Sequence, residues 1–349
     1  MQFDHHPGFD GHERVEFFRD DKLGLMGVIA IHSTRLGRAM GGCRAATYVS
    51  EAAALTDALR LSQGMSYKNA MADLPAGGGK AVLYRMRASG AERARAFEAF
   101  GAAVDRLGGA YVTAEDVGVS VADMEAVSRR TRFVAGLPTR PGQAGGDPSA
   151  WTALGAFEAM RVAAGRPLAG ARVAVQGLGA VGYRLCEHLH AAGARLVVAD
   201  VDRERGLRAQ DAFGAELESP DRIHRTPADV FSPNALGAVL NIDSIEDLQA
   251  PVVCGAANNQ LATPEDGLRL ASRGVVYAPD YVVNAGGIIN VVAEFLGEPQ
   301  DRVESRVRAI PERLAALLAQ AKAEGRAPHE IADRMARARI GGERARSAA

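Results

Sequence analysis

The sequence predicts an α/β protein of two domains, and three observations predict it. At 349 residues the chain is too long for one simple core and suits two domains of ordinary size. Residues 136–149, GLPTRPGQAGGDPS, are dense in Gly and Pro, as a linker or hinge between domains would be. The pattern also changes across that segment. Short mixed elements precede it, while apolar strands alternating with helices follow it, the pattern of right-handed βαβ units on an open parallel sheet.

In the first part, residues 15–18 (VEFF) and 27–31 (GVIAI) read as strands rich in β-branched and aromatic side chains. Ser50 is placed to cap a helix whose apolar positions are Ala54, Leu55, Ala58, Leu59 and Leu61. A strand is expected at 81–84 after the glycine run Gly77–Gly79, a helix over 93–107 and a strand over 110–113. In the second part, 172–176 (RVAVQ) is a continuous apolar strand of the parallel-sheet kind. A helix over 181–192 and a strand over 196–199 follow it. Further strands are expected at 228–231, 251–254 and 274–277, and helix from 303 to the glycines at 341–342. The expected domains are 1–136, completed by a C-terminal helix at about 326–349, and 150–325.

Composition excludes several classes. The 41 Lys and Arg nearly cancel the 42 Asp and Glu, which leaves no electrostatic case for nucleic acid or an anionic membrane. No apolar run approaches a membrane span, and the N-terminus MQFDHH lacks the layout of a signal peptide. The three cysteines, Cys43, Cys186 and Cys254, are scattered and odd in number, which argues for a reducing cytoplasm and against a disulfide framework. The histidines form no HExxH and the cysteines no zinc spacing, so no metal is expected.

The segment 177–182, GLGAVG, matches G-x-G-x-x-G. Its position is what makes it specific, since it follows an apolar strand and opens a helix. Gly177 permits the tight turn, Gly179 lets backbone approach a pyrophosphate, and Gly182 allows close helix–strand packing. The N–H groups of Ala180 and Val181, at the helix start, face the phosphates. Asp200 ends the next strand, about 20 residues on, where a carboxylate meets a ribose hydroxyl and disfavours a 2′-phosphate. The expected fold is therefore Rossmann-like and the expected cofactor NAD. Arg203 and Arg205 are the groups that could reach a 2′-phosphate instead.

Two lysines, Lys68 and Lys80, stand in the largely small and apolar run GMSYKNAMADLPAGGGKAV. Lysine usually keeps its ammonium in water. A nicotinamide enzyme acting on a C–N bond needs a fixed cation for a substrate carboxylate and a base active near neutral pH. Lysine becomes such a base when desolvated or set beside another cation. Two lysines turned into one closing cleft would meet both needs.

The segments LGRAMGGCR, GMSYKNAMADLPAGGGKAV, YVTAEDVG, VQGLGAVG, VVCGAANNQLA and YAPDYVVNAGGIIN, in that order, resemble the Glu/Leu/Phe/Val amino-acid dehydrogenases, most closely the leucine and valine branch. The resemblance runs from about His32 to about Arg337. It implies an NAD-dependent, reversible oxidative deamination of leucine, valine or isoleucine. Lys68 would bind the substrate carboxylate, assisted by backbone at Gly41 and Gly42 and by the amide of Asn258 or Asn259. Lys80 would activate water, and Asp116 would shuttle a proton beside the substrate amine. Thr152 would hold the nicotinamide amide, with Asn258 and Asn284 lining its site. By motif position Met40, Ala114, Ile288 and Val291 would wall the side-chain pocket. All four are apolar, which disfavours glutamate.

The chain departs from the pattern in four places: Asn234 stands where relatives carry Cys, Trp151 precedes Thr152, the linker is unusual, and Ile288 replaces a smaller Val. The expected partners are the amino acid, its 2-oxo acid and ammonium, with the chain assembled as a homo-oligomer. Phenylalanine dehydrogenase of the same family is the nearest alternative. A 2-hydroxy-acid dehydrogenase would want a His paired with an acid, and no His here stands in such a motif. A non-catalytic NAD sensor would be expected to have lost Lys68, Lys80 or Asp116.

Overall fold

The computed structural model describes residues 5–86, 89–139, 141–235 and 237–342. The C-terminal helix expected through 349 thus extends past the described residues, as do Met1–Asp4 at the other end and Arg140 in the expected linker. The chain divides into two compact units. One comprises 1–147, 288–302 and 336–349, and the other 148–287 and 303–335. Residues 288–302, read in the sequence as part of the second domain, pack with the first unit, and 326–335 pack with the second.

The first unit is built on β1 (Arg14–Asp20), β2 (Leu25–Ser33), β3 (Ala39–Met40), β4 (Cys43–Ala45), β5 (Gly77–Arg85) and β6 (Tyr111–Val112), with α1 (Glu51–Met71), α2 (Ala91–Asp105) and α3 (Val121–Ser128). The strand order is β1-β2-β5-β3-β6, with β4 also paired to β5. β2 meets β5 antiparallel, while β3 and β4 meet it parallel. The three glycines expected to precede a strand lie inside it. Gly77 and Gly78 pair with Ala39 and Met40, and Gly79 with Ile31 on the other side.

Alternation along β5 sorts its side chains onto two faces. Val82 packs with Leu55, Ala58 and Leu59 of α1, and Gly78 lies under Ser66 of the same helix. Lys80, between them, therefore belongs to the α1 face. Ser50 caps α1 as expected, its hydroxyl accepting from Ala53 N. Leu61 is only half-buried, and Ser62 takes the buried position beside it.

The second unit opens with α4 (Ser149–Ala163), a helix without a counterpart in the sequence reading. Then follow β7 (Arg172–Gln176), α5 (Ala180–Ala191), β8 (Arg195–Ala199), α6 (Arg203–Phe213), β9 (Glu216–Leu217), β10 (Val230–Pro233), α7 (Ile242–Asp247), β11 (Val252–Val253), α8 (Pro264–Ser272), β12 (Val276–Tyr277) and α9 (Asp280–Val283). The chain continues through α10 (Gly286–Phe295), α11 (Gln300–Arg308), α12 (Ile310–Glu324) and α13 (Pro328–Gly342). The sheet runs β12-β11-β10-β7-β8-β9, every pair parallel. Successive strands leave β7 in opposite directions, β8 to one side and β10 to the other. Such a switch point is where open α/β sheets bind ligands, beyond the strands' C-terminal ends. A core around Phe231, Val253, Tyr277, Leu240 and Ile245 holds one face of the sheet. Each such side chain contributes about 1.5–3 kcal/mol by burial.

Candidate active site

In the first unit, the chain after β3 runs as a strip between two neighbours. Gly41 N donates to Val112 O, Cys43 N donates to Ala114 O, and Ala81 N donates to Gly42 O. This strip sets Gly42 against both Lys80 and Asp116. A Cβ on Gly42 would stand 2.5 Å from Glu115 O and 2.8 Å from the Asp116 Cβ, so the approach requires glycine. Tyr111, buried, donates its hydroxyl to Gly41 O at 2.7 Å and fixes the strip from below. Met40 and Ala114 are buried next to it.

Lys80 Nζ lies 2.7 Å from Asp116 Oδ2, and the two side chains are 7% and 20% exposed. Arg44 Nε reaches the same oxygen at 3.1 Å. Burial would raise the Asp116 carboxyl, but the charges of Lys80 and Arg44 overcome it and hold the group at about 2. Glu115 behaves oppositely. Burial, and then the charges of Glu294, Asp147 and Asp123, push it up. Lys68 sits in the last turn of α1, half-buried. The next residue, Asn69, is fully buried and donates to Gly77 O at 2.6 Å, tying α1 to the start of β5.

Ile288 and Val291 belong to this same unit. They are half-buried, one helical turn apart on α10, with Ile289, Val292 and Ala293 in the core behind them. Glu294 of α10 accepts from Gly136 N and Leu137 N at 3.0 and 2.9 Å, and Asn290 accepts from Gly145 N at 2.9 Å. Gly136 in turn lies against the Glu115 side chain. The segment expected to be a linker or hinge is thus gripped by the polar stripe of α10, and that grip ties α10 to the strand end carrying Ala114 and Asp116.

In the second unit, Gly177 takes a positive φ of 94° between β7 and α5. A Cβ on Gly182 would overlap the Gly177 carbonyl, so the helix can approach the strand this closely only with glycine there. Gly179 is the N-cap of α5 and supplies no side-chain cap, and the first turn, with Ala180 and Val181, carries no carboxylate. An anionic pyrophosphate is the natural complement of such an end. Asp200, following β8, accepts from Leu178 N at 2.6 Å and from Asp202 N at 2.8 Å, with Arg205 at 3.9 Å. It therefore braces the glycine turn.

Asn284 follows α9 and is buried. Its amide nitrogen donates to Ala256 O and Asn258 Oδ1 at 3.1 and 2.9 Å, while its own oxygen is a buried acceptor without a partner. Thr152, in the first turn of α4 beside the half-buried Trp151, donates to Pro148 O at 3.1 Å. Asn234 accepts from Ala256 N at 2.9 Å and donates to Ser232 O. The glycine turn, the uncapped helix end and the orphaned amide oxygen all fit a bound dinucleotide. Among the described residues no cluster of metal-ligating side chains occurs, and no helix is long and apolar enough to cross a membrane.

Sequence reasoning missed Arg44 and Glu294. Arg44 lies within a quoted segment, yet only the pairing of β4 with β5 aims it at Asp116.

Residues 12–133 match the family model "Glu/Leu/Phe/Val dehydrogenase, dimerisation domain", and residues 198–340 match "Glutamate/Leucine/Phenylalanine/Valine dehydrogenase". Leucine dehydrogenase of Thermoactinomyces intermedius is 44% identical, covering 97% of this chain and 93% of that protein. Valine dehydrogenase of Streptomyces coelicolor is 45% identical over 98% and 95%. Among solved structures, L-tryptophan dehydrogenase from Nostoc punctiforme superposes with a TM-score of 0.83 at 39% identity, covering 96% of this chain and 97% of that one. A hetero-hexameric glutamate dehydrogenase from Thermus thermophilus, in a Leu-bound form, gives 0.79 at 25% identity over 96% and 90%.

Proposed function

The chain belongs to the Glu/Leu/Phe/Val dehydrogenase family and is an amino-acid dehydrogenase, and we propose that it carries out the reversible, NAD-dependent oxidative deamination of branched aliphatic L-amino acids to 2-oxo acids and ammonium. The observation that carries the chemistry is the buried Lys80–Asp116 pair at 2.7 Å. The first unit is then the substrate domain and the second the NAD domain. Bound at the glycine turn, NAD would accept hydride from the substrate α-carbon, with Gly177, Gly179, Ala180, Val181, Gly182 and Asp200 toward its ribose and phosphates, and Thr152, Asn258 and Asn284 toward its nicotinamide.

The chain's own residues do the rest. Lys68, with the backbone of Gly41 and Gly42, holds the substrate carboxylate. Lys80, as the neutral amine, takes a proton from water as the water oxygen bonds to the imine carbon. Asp116 relays a proton at the substrate nitrogen as the carbinolamine C–N bond breaks and ammonium leaves. Met40, Ala114, Ile288 and Val291 face the substrate side chain. The dimerisation domain in the matched family supports assembly as a homo-oligomer, and three free, buried cysteines suit the cytoplasm.

The likeness to a tryptophan dehydrogenase favours one second reading, an aromatic side chain in the same pocket. A panel of 2-oxo acids with NADH, run with and without ammonium, tests both. Branched 2-oxo acids should be reduced only when ammonium is present. Full activity without it would move the protein to the hydroxy-acid class, and an indole or phenyl substrate ranking first would favour the second reading.

A further inference from the structure

We infer that Arg44 is a positioning residue for the Lys80–Asp116 pair: its guanidinium, anchored at its far end by Asp57, holds Asp116 as an oriented carboxylate while Lys80 gives and takes its proton. The inference rests on the proposed roles of Lys80 and Asp116 and adds a third member to them.

The geometry is a chain of contacts that joins five parts of the chain. Tyr48 donates its hydroxyl to Asp57 Oδ2, and Arg44 Nη1 donates to the same oxygen at 3.1 Å. Arg44 Nε donates to Asp116 Oδ2 at 3.1 Å, and Lys80 Nζ closes on that oxygen at 2.7 Å. Asp57 comes from α1, Arg44 from β4, Lys80 from β5 and Asp116 from the segment after β6. Arg44 is mostly covered, its side chain 22% exposed. A lysine in its place would be one point charge, whereas the guanidinium fork meets two carboxylates at once in a fixed plane.

Charge explains why a second cation is needed. Lys80 must lose its proton to act as a base. Asp116, largely buried, would then face that step with no counter-ion, and an uncompensated buried carboxylate takes up a proton or turns toward water. A guanidinium does not titrate in this range, so Arg44 keeps Asp116 ionised and aimed through both states of Lys80. Arg44 also shares the same Asp116 oxygen with Lys80. The other groups around the pair leave this logic intact. Cys43 and Tyr111 are pushed upward by burial and stay neutral, as does Tyr48. Asp123 is engaged by Arg93, and Glu115 and Lys68 are untouched by the variants below.

The test compares pH profiles of kcat/KM for oxidative deamination in the full-length enzyme. Arg44→Met should move the acid limb upward by about one pH unit, because a fixed positive charge is then gone from the shared carboxylate. It should lower kcat by about ten- to a hundredfold while leaving the amino-acid KM near its starting value. Arg44→Lys should bring the limb back toward wild type, with part of the kcat loss remaining. Asp57→Asn removes the far carboxylate, leaves Arg44 more positive toward the pair, and should move the limb downward by a smaller amount. A folded Arg44→Met enzyme with the wild-type limb and kcat would overturn the inference. If Arg44→Met does not fold, an unmoved or upward-moved limb in Asp57→Asn does the same. Lys80→Ala, measured alongside, separates the two levels. Normal turnover in that variant defeats the assignment of the base itself. A collapse there with no shift in the Arg44 and Asp57 variants defeats the role of Arg44 alone.

Discussion

The two units build their candidate sites from opposite materials. Around Asp116 the first unit gathers two cations and two carboxylates, Lys80 and Arg44 with Asp116 and Asp57, in a mostly dry place. Around residues 255–258 the second unit uses neutral amides. Asn234 holds Ala256 N, Gln260 donates to Gly255 O and Ala257 O, and Asn284 donates to Ala256 O and Asn258. Charges in a low-dielectric setting respond strongly to one another, so small changes in protonation there move real energy. Amides fix a shape just as firmly and do not respond to pH. The first kind of site suits moving protons, and the second suits holding a cofactor in one pose through a catalytic cycle.

The largest break in that contrast should come from Lys80→Ala. Removing the proposed base leaves Asp116 with Arg44 alone, and turnover should fall by about a thousandfold, within the range general-base loss commonly costs. NAD affinity, read by quenching of protein fluorescence or by calorimetry, should stay within about twofold, because the amide-built unit is unchanged. Lys68→Ala should act mainly on KM, since loss of the proposed carboxylate ligand weakens binding before it misplaces the α-carbon. A Lys80→Ala enzyme with near-normal turnover would remove the distinction between the two sites.

How far each site could be read from sequence follows the same divide. The glycine turn of the second unit is local: strand, turn and helix start lie within a few residues, and GLGAVG announces them. The charge cluster is not local. That Lys80 meets Asp116, and Arg44 meets both Asp116 and Asp57, depends on the register of β4 beside β5, on that of β6 beside β3, and on the position of α1. The glycine run 77–79 looks like a break because glycine is poor in strands, yet β3 lies alongside and makes it one. Helix α10 is apolar on most sides, so no pattern within it reveals that it packs with the first unit. Its two polar residues, Asn290 and Glu294, spaced one turn apart, were the available signal.

A middle-sized effect is expected from Asp200→Ala, the one charge central to the cofactor side. Its two oxygens brace Leu178 N and Asp202 N, so binding of both NAD and NADP should weaken as the turn loosens. The informative quantity is their ratio, from which that shared loss cancels. The NAD-over-NADP preference in kcat/KM should drop by about ten- to a hundredfold, as the carboxylate no longer repels a 2′-phosphate. The pH profile should keep its shape, since no proton is moved there. A wild-type enzyme that already prefers NADP would shift the ribose contact to Arg203 or Arg205.

The smallest expected effect concerns the apolar wall that neither material governs. Ile288 and Val291 share a half-buried face of α10, while Ile289 and Val292 anchor the helix in the core, so Ile288 can be trimmed without opening that core. Ile288→Ala should therefore fold normally and act on substrate choice. One methylene in such a pocket is worth about 1–3 kcal/mol, so the wild type should grade valine, leucine and isoleucine above phenylalanine rather than refuse the last outright. The trimmed pocket should raise kcat/KM for phenylalanine relative to valine by about tenfold, and the acid limb of the pH profile should not move. Specificity constants for the four amino acids, measured side by side, decide it. An unchanged ranking would mean that Ile288 does not face the substrate. A moved acid limb would mean that α10, through Glu294 and Gly136, reaches the charge cluster as well as the pocket, and the division between proton chemistry and side-chain choice within the first unit would have to be redrawn.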